Sequence, residues 1–101
     1  MLNSLLLDTG SGLRDYAADP RPDRKLRFIA DRLARYAGQD GCSYIARILS
    51  QASSRPSLTL NGLRETLADV RYELDRANEY QEHPLLEASF AIAWEDMEAL
   101  A

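Results

Sequence analysis

Through most of the chain the apolar residues recur at helical spacing, and clusters of turn-forming residues separate one run from the next. Between Asp23 and Ala37 they are Leu26, Ile29, Ala30, Leu33, Tyr36 and Ala37, a stripe along one helix face. Pro22 falls in the first turn, where a missing N–H is harmless, and Gly38 follows the last periodic residue as a C-terminal cap. Cys42, Ile45, Ala46, Ile48, Leu49 and Ala52 predict a shorter helix from Gly41 to about Ala52. Leu60, Leu63, Leu67, Val70, Leu74 and Ala77 are spaced 3, 4, 3, 4, 3, a coiled-coil-like seam. Leu86, Phe90, Ala93, Met97 and Leu100 repeat at 4, 3, 4, 3 on a final helix that Pro84 starts, with Glu87 near its positive end. Two seams joined by Gln81-Glu82-His83-Pro84 read as an antiparallel helical hairpin.

Two stretches are ambiguous. Asn61-Gly62 between apolar residues is a hairpin-turn signal, so residues 57–63 admit a small β-hairpin. The seam that begins at Leu60 favours helix, with Gly62 costing about 1 kcal/mol in its first turns. The final helix also carries Leu85, Ala88, Ala91, Ile92 and Trp94, so it is apolar nearly all round. Such a helix is covered on several sides, either at the centre of the bundle or by a second copy over residues 84–100. Before residue 20, Leu13, Tyr16 and Ala17 suggest one or two helical turns, and Leu5-Leu6-Leu7 an apolar arm. The expected fold is all-α: one helical domain over residues 1–101, a compact bundle of about four main helices. A C-terminal helical hairpin and a short N-terminal helix or arm complete it.

A 101-residue chain, 46% apolar and 28% charged, has the balance of one small globular domain. Length excludes a TIM barrel and a two-domain nucleotide-binding enzyme. One cysteine, Cys42, allows no internal disulfide, and one histidine, His83, no zinc cluster of the usual ligands. The N-terminus lacks the basic start and cleavage site of a secretory signal, and no run reaches the roughly 18 apolar residues of a membrane span, so a cytoplasmic protein is expected. Eleven arginines against one lysine, Lys25, is the bias of a GC-rich genome and points to a bacterium or its phage.

The charges divide along the chain. Residues 1–50 carry eight Lys/Arg and six Asp/Glu, and residues 51–101 four Arg against ten Asp/Glu, for a net charge of −4. Glu65, Asp69 and Glu73 stand four residues apart, lining one flank of the long helix with like charges that repel by a few tenths of a kcal/mol per pair. Either Arg24, Arg27, Arg32 or Arg35 of the same chain offsets them, or Arg64, Arg76 and solvent screening suffice, or the strip docks on a cationic surface of another protein. Tyr72 and Tyr80 are candidate aromatic anchors for such a contact.

Catalytic chemistry is not expected. The Thr9-Gly10-Ser11-Gly12 break lacks the Lys-Ser/Thr of a phosphate loop, and no carboxylate spacing matches a metal site, so no cofactor or metal is implied. Cys42 at a helix start reads as a small core or boundary residue, and His83 as a turn or capping residue. The alternative function is a small DNA-binding regulator using Arg24, Arg27, Arg32, Arg35 and Arg47. Ala34 and Gly38 fit a helix-turn-helix spacing, but the next apolar slot falls on Tyr44, and a net acidic chain attracts phosphates weakly. In size, acidity and lack of catalytic residues the chain is similar to the broad class of small phage or bacterial antagonist proteins, anti-CRISPR proteins among them. That likeness is compositional, covers no motif and carries over no residue. The leading expectation is a non-enzymatic interaction protein, an inhibitor or antagonist of another macromolecule.

Overall fold

The computed structural model describes residues 20–101, with side chains from Asp23 onward. Helices α1 (Pro20–Gln39), α2 (Ser43–Ser53), α3 (Leu60–Asn78) and α4 (Pro84–Glu98) follow one another, and no strand occurs among the described residues. The expected N-terminal helix or arm lies outside those residues.

The leucine seams form the centre. Leu63, Leu67, Val70 and Leu74 of α3 are fully buried, as are Leu86 and Met97 of α4, with Phe90 and Ala93 nearly so. Leu26, Ile29, Ala30 and Leu33 of α1 and Ile45 and Leu49 of α2 complete the same cluster. Ion pairs fix the helix directions. Arg71 reaches Glu87 at 2.7 Å and Arg64 reaches Glu98 at 3.6 Å, so α3 and α4 run antiparallel as their seams imply. Arg32 pairs with Asp96 at 2.6 Å while Asp40 meets His83 at 3.2 Å, so α4 also runs antiparallel to α1. Helix α2 packs between α1 and α3, and the four rods make an up-and-down ring in which α1 and α3 scarcely touch across the diagonal.

The ambiguous stretch at 57–63 is the start of α3. Thr59 is its N-cap, and its Oγ1 accepts from the Gly62 N–H at 3.0 Å. A Cβ on Gly62 would stand 3.2 Å from that oxygen, so the missing side chain makes room for the cap. Thr66, the one buried polar residue among those described, donates its hydroxyl back to the Gly62 carbonyl at 2.9 Å.

Two expectations are corrected. Gly38 does not end α1. The helix continues to Gln39, and the left-handed residue is Gly41, at φ +80°. The Cys42 N–H closes onto the Ala37 carbonyl at 2.8 Å and the Gly41 N–H onto that of Gly38 at 3.2 Å, a Schellman ending. Closure falls there because it sets Cys42, and not a polar residue, against the core. Nor is α4 central. It buries one face against α1 and α3, while Leu85 (58% exposed), Ala88, Ala91 and Ile92 (52%) stay uncovered.

The loop end of the α3–α4 hairpin is held by polar contacts. Arg71 bonds both carboxylate oxygens of Glu87, at 2.7 and 2.9 Å, and lies 4.9 Å from the Phe90 ring centre. Asn78 Nδ2 donates to Glu87 at 3.1 Å while its Oδ1 accepts the His83 N–H at 2.9 Å. The Arg71 hydrogen bonds hold the Glu87 carboxyl below its ordinary range, against an opposing effect of burial.

Three outcomes are expected. Gly41→Ala should lower the unfolding free energy by about 1–2 kcal/mol, the penalty of a left-handed alanine. Gly38→Ala, helical and with nothing within 4 Å of the new Cβ, should raise it by about 0.5–1 kcal/mol; urea denaturation measures both. Glu87, depressed when folded, adds stability above the ordinary carboxyl range that is lost as pH falls through its folded pKa. In pH-dependent urea midpoints, Glu87→Gln should therefore be the less stable protein at neutral pH and show a shallower loss on acidification.

Candidate functional site

Residues 65, 69, 73, 76 and 80 fall three or four apart, and 72 lies three after 69 and four before 76, so they project from one side of α3 and the turn after it. That side faces α2, whose stripe Ile45, Leu49 and Ala52 turns inward and leaves Tyr44 on the flank. One cleft of about 440 Å³ is lined by Tyr44, Arg55, Asp69, Tyr72 and Glu73 among others. A second, of about 560 Å³, is lined by Asp40, Cys42, Tyr44, Glu73, Tyr80 and His83 among others. Both include Tyr44 and Glu73, so they form one continuous face.

Four of the five expected partner-binding residues, Asp69, Tyr72, Glu73 and Tyr80, line this face. Glu65 is exposed one turn before Asp69, outside both clefts. Tyr44, Tyr72 and Tyr80 are 55%, 61% and 85% exposed. Tyr44 was readable only as an obstacle to helix-turn-helix spacing; its signal is that it is an aromatic residue off the inward stripe of α2. Among the described residues no ion pair reaches Glu65, Asp69 or Glu73. Arg76 lies 5.8 Å from the Tyr72 ring centre.

The basic candidates do not assemble. Arg27 is a structural clamp: its Nε donates to Asp23 at 2.8 Å, and its Nη atoms donate to the carbonyls of Ser53 and Pro56. Asp23 in turn accepts the Leu58 N–H at 3.3 Å, and the Arg27 hydrogen bond lowers its pKa. Arg32 is tied to Asp96 and lies 5.3 Å from the Phe28 ring centre. Arg24, Arg35 and Arg47 are exposed, the last on α2. Arg24 and Arg27 share their cleft with Asp31 and Asp96. The Arg27–Ser53 contact at one end and the tight turn at the other lay α1 and α2 side by side, unlike the ~90–120° crossing of a helix-turn-helix.

The second cleft holds a constellation that one-dimensional reading did not assemble. Cys42 Sγ is 3.8 Å from both His83 Nδ1 and Nε2, and Nδ1 is 3.2 Å from Asp40 Oδ2. Cys42 is the N-cap of α2 and His83 the N-cap of α4, yet neither side chain makes a cap bond. Burial first, and the Asp40 carboxylate second, push the Cys42 thiol above its ordinary pKa. The residues are 41 positions apart, and only the ring closure of the bundle brings them together. No group of three His, Cys, Asp or Glu among the described residues forms a metal site.

Fold and site define an up-and-down four-helix bundle with an aromatic, acidic face on α2 and α3. No protein-family model, curated protein or solved structure matches this chain. No helix among the described residues is long and apolar enough to cross a membrane.

Proposed function

We propose that the protein is a non-enzymatic protein-interaction module, a small bacterial or phage inhibitor or antagonist, that docks its α2–α3 face on a cationic surface of another protein. The observation that carries this reading is the joint exposure of Tyr44, Tyr72 and Tyr80 around Asp69 and Glu73, which no ion pair reaches among the described residues. Tyrosines are enriched in interface hot spots, and carboxylates beside them steer a basic partner and fix its register. Arg55 and Arg76 line the same clefts, yet among the described residues no ion pair joins either to Glu65, Asp69 or Glu73, which favours docking over self-neutralisation.

The test is affinity capture from the native host with the wild type, an Asp69→Asn/Tyr72→Ala/Glu73→Gln variant and an Arg24→Ala/Arg35→Ala/Arg47→Ala variant. The expected result is a protein retained by the wild type and the arginine variant, released by salt and lost with the α3 variant. Retention of the wild type on heparin with a shift of duplex DNA, abolished in the arginine variant, would replace this reading with the DNA-binding one.

We also propose a homodimer through α4, because Leu85 and Ile92 lie two turns apart on its uncovered face with Ala88 and Ala91 between them. Light scattering should give twice 11.4 kDa for the wild type and 11.4 kDa for Leu85→Glu/Ile92→Glu. A wild-type mass of 11.4 kDa across micromolar concentrations rules the dimer out.

A further inference from the structure

We infer that Cys42, His83 and Asp40 form a base-assisted thiol site that exchanges with small carboxylate-bearing disulfides, placing one reversible adduct in the cleft between α2 and the end of α3. This inference does not rest on the docking reading.

The roles follow from the geometry. Asp40 Oδ2 at 3.2 Å from Nδ1 keeps the ring proton on that nitrogen. Nε2 is then the lone pair left to take the thiol proton once the ring turns toward Sγ, which lies 3.8 Å from both ring nitrogens and so off the axis of either. The Asn78 Oδ1 hydrogen bond to the His83 N–H, at 2.9 Å, fixes the backbone from which the ring projects. With the thiol held protonated, Cys42 is not a standing thiolate, and a neighbouring base is what makes it a nucleophile.

The cleft supplies the rest. The first backbone bond of α2 runs from the Ala46 N–H to the Cys42 carbonyl at 3.0 Å, which leaves the N–H groups of Ser43, Tyr44 and Ile45 outside the helical ladder. Their positive end favours the thiolate as it forms. Ser43, Tyr44 and Ile45 all line the cleft, with Arg76 the cation in its lining and Glu73 a second carboxylate beside Asp40. Arg76 makes no ion pair among the described residues and can hold a carboxylate of an incoming molecule. About 560 Å³ admits a molecule of small-peptide size.

The exchange balances without another reactant. Sγ loses its proton to Nε2 and attacks one sulfur of the disulfide. The old S–S bond breaks as the Sγ–S bond forms, and the departing thiolate takes the proton back from Nε2. Cys42 is oxidised and the departing sulfur reduced to a thiol.

The probe is glutathione disulfide, with adduct formation on the full chain followed by intact mass and folding checked by circular dichroism. The wild type should gain one glutathionyl group, removable by dithiothreitol, and Cys42→Ala none. His83→Gln should slow the exchange about tenfold, a modest share of the ~10²–10⁴ that a positioned base contributes. Asp40→Asn separates the site from an isolated thiol by sign. It removes a negative charge that raises the thiol pKa, so an isolated cysteine would react faster, whereas loss of the group that orients His83 makes exchange slower. A His83→Gln rate within twofold of wild type, a faster Asp40→Asn protein, or no adduct on the wild type overturns the inference. Asp40→Asn decides alone if His83→Gln does not fold.

Discussion

The fold depends on one shared apolar core, to which α3 gives Leu63, Leu67, Val70 and Leu74 and α4 gives Leu86, Phe90, Ala93 and Met97, closed by Leu26, Ile29 and Leu33 of α1 and Ile45 and Leu49 of α2. Each large side chain there stabilises by about 1.5–3 kcal/mol when removed from water, which is a large share for so small a domain. A seam with this period constrains more than contact. With the short connection after Asn78 setting α3 and α4 antiparallel, it places Arg71 over Phe90 and against Glu87, beside the loop in which Asn78 holds His83. The position of the histidine is thus a consequence of hydrophobic registry, transmitted by one guanidinium and one amide.

The other half of the bundle is set by its two connections. Gly41 turns the chain between α1 and α2 in a left-handed conformation, and this delivers Asp40 and Cys42 to the same end of the molecule as His83. At the opposite end Arg27 ties Asp23 to the carbonyls of Ser53 and Pro56, closing the longer α2–α3 connection onto α1. The clefts lie on the face between these two fixed ends, so rigid elements set the spacing of its tyrosines and carboxylates.

What was legible in the sequence is what depends on period. The burial of Leu63, Leu67, Val70, Leu74, Leu86, Phe90, Ala93 and Met97 follows from spacing alone, and so does the common flank of Asp69, Tyr72 and Glu73. The α1 ending was misplaced because Gly38 and Gly41 are equally permissive locally, and only the packing of Cys42 against the core selects between them. Arg27 resembled its exposed neighbours because nothing in a helical pattern reveals that a carbonyl from 26 residues further on arrives beside it. The Cys42–His83–Asp40 cluster was invisible for the same reason: each member lies in a turn or at a cap, where periodicity carries no information about neighbours.

One tension then organises the surface. A small bundle needs most of its apolar residues inside, yet this one leaves Tyr44, Tyr72 and Tyr80 on the α2–α3 face and Leu85 and Ile92 on α4 in contact with water. Repelling carboxylates at four-residue spacing add a further local cost on α3, and no cation among the described residues pairs with them. Such features weaken the isolated chain, while the buried seam is strong enough to tolerate them. The same seam carries the His83 end of the cleft, so the face most exposed to a partner and the thiol at its edge share one support. An adduct on Cys42 would stand beside Tyr44 and Glu73, the two residues common to both clefts, and would change what that face can meet.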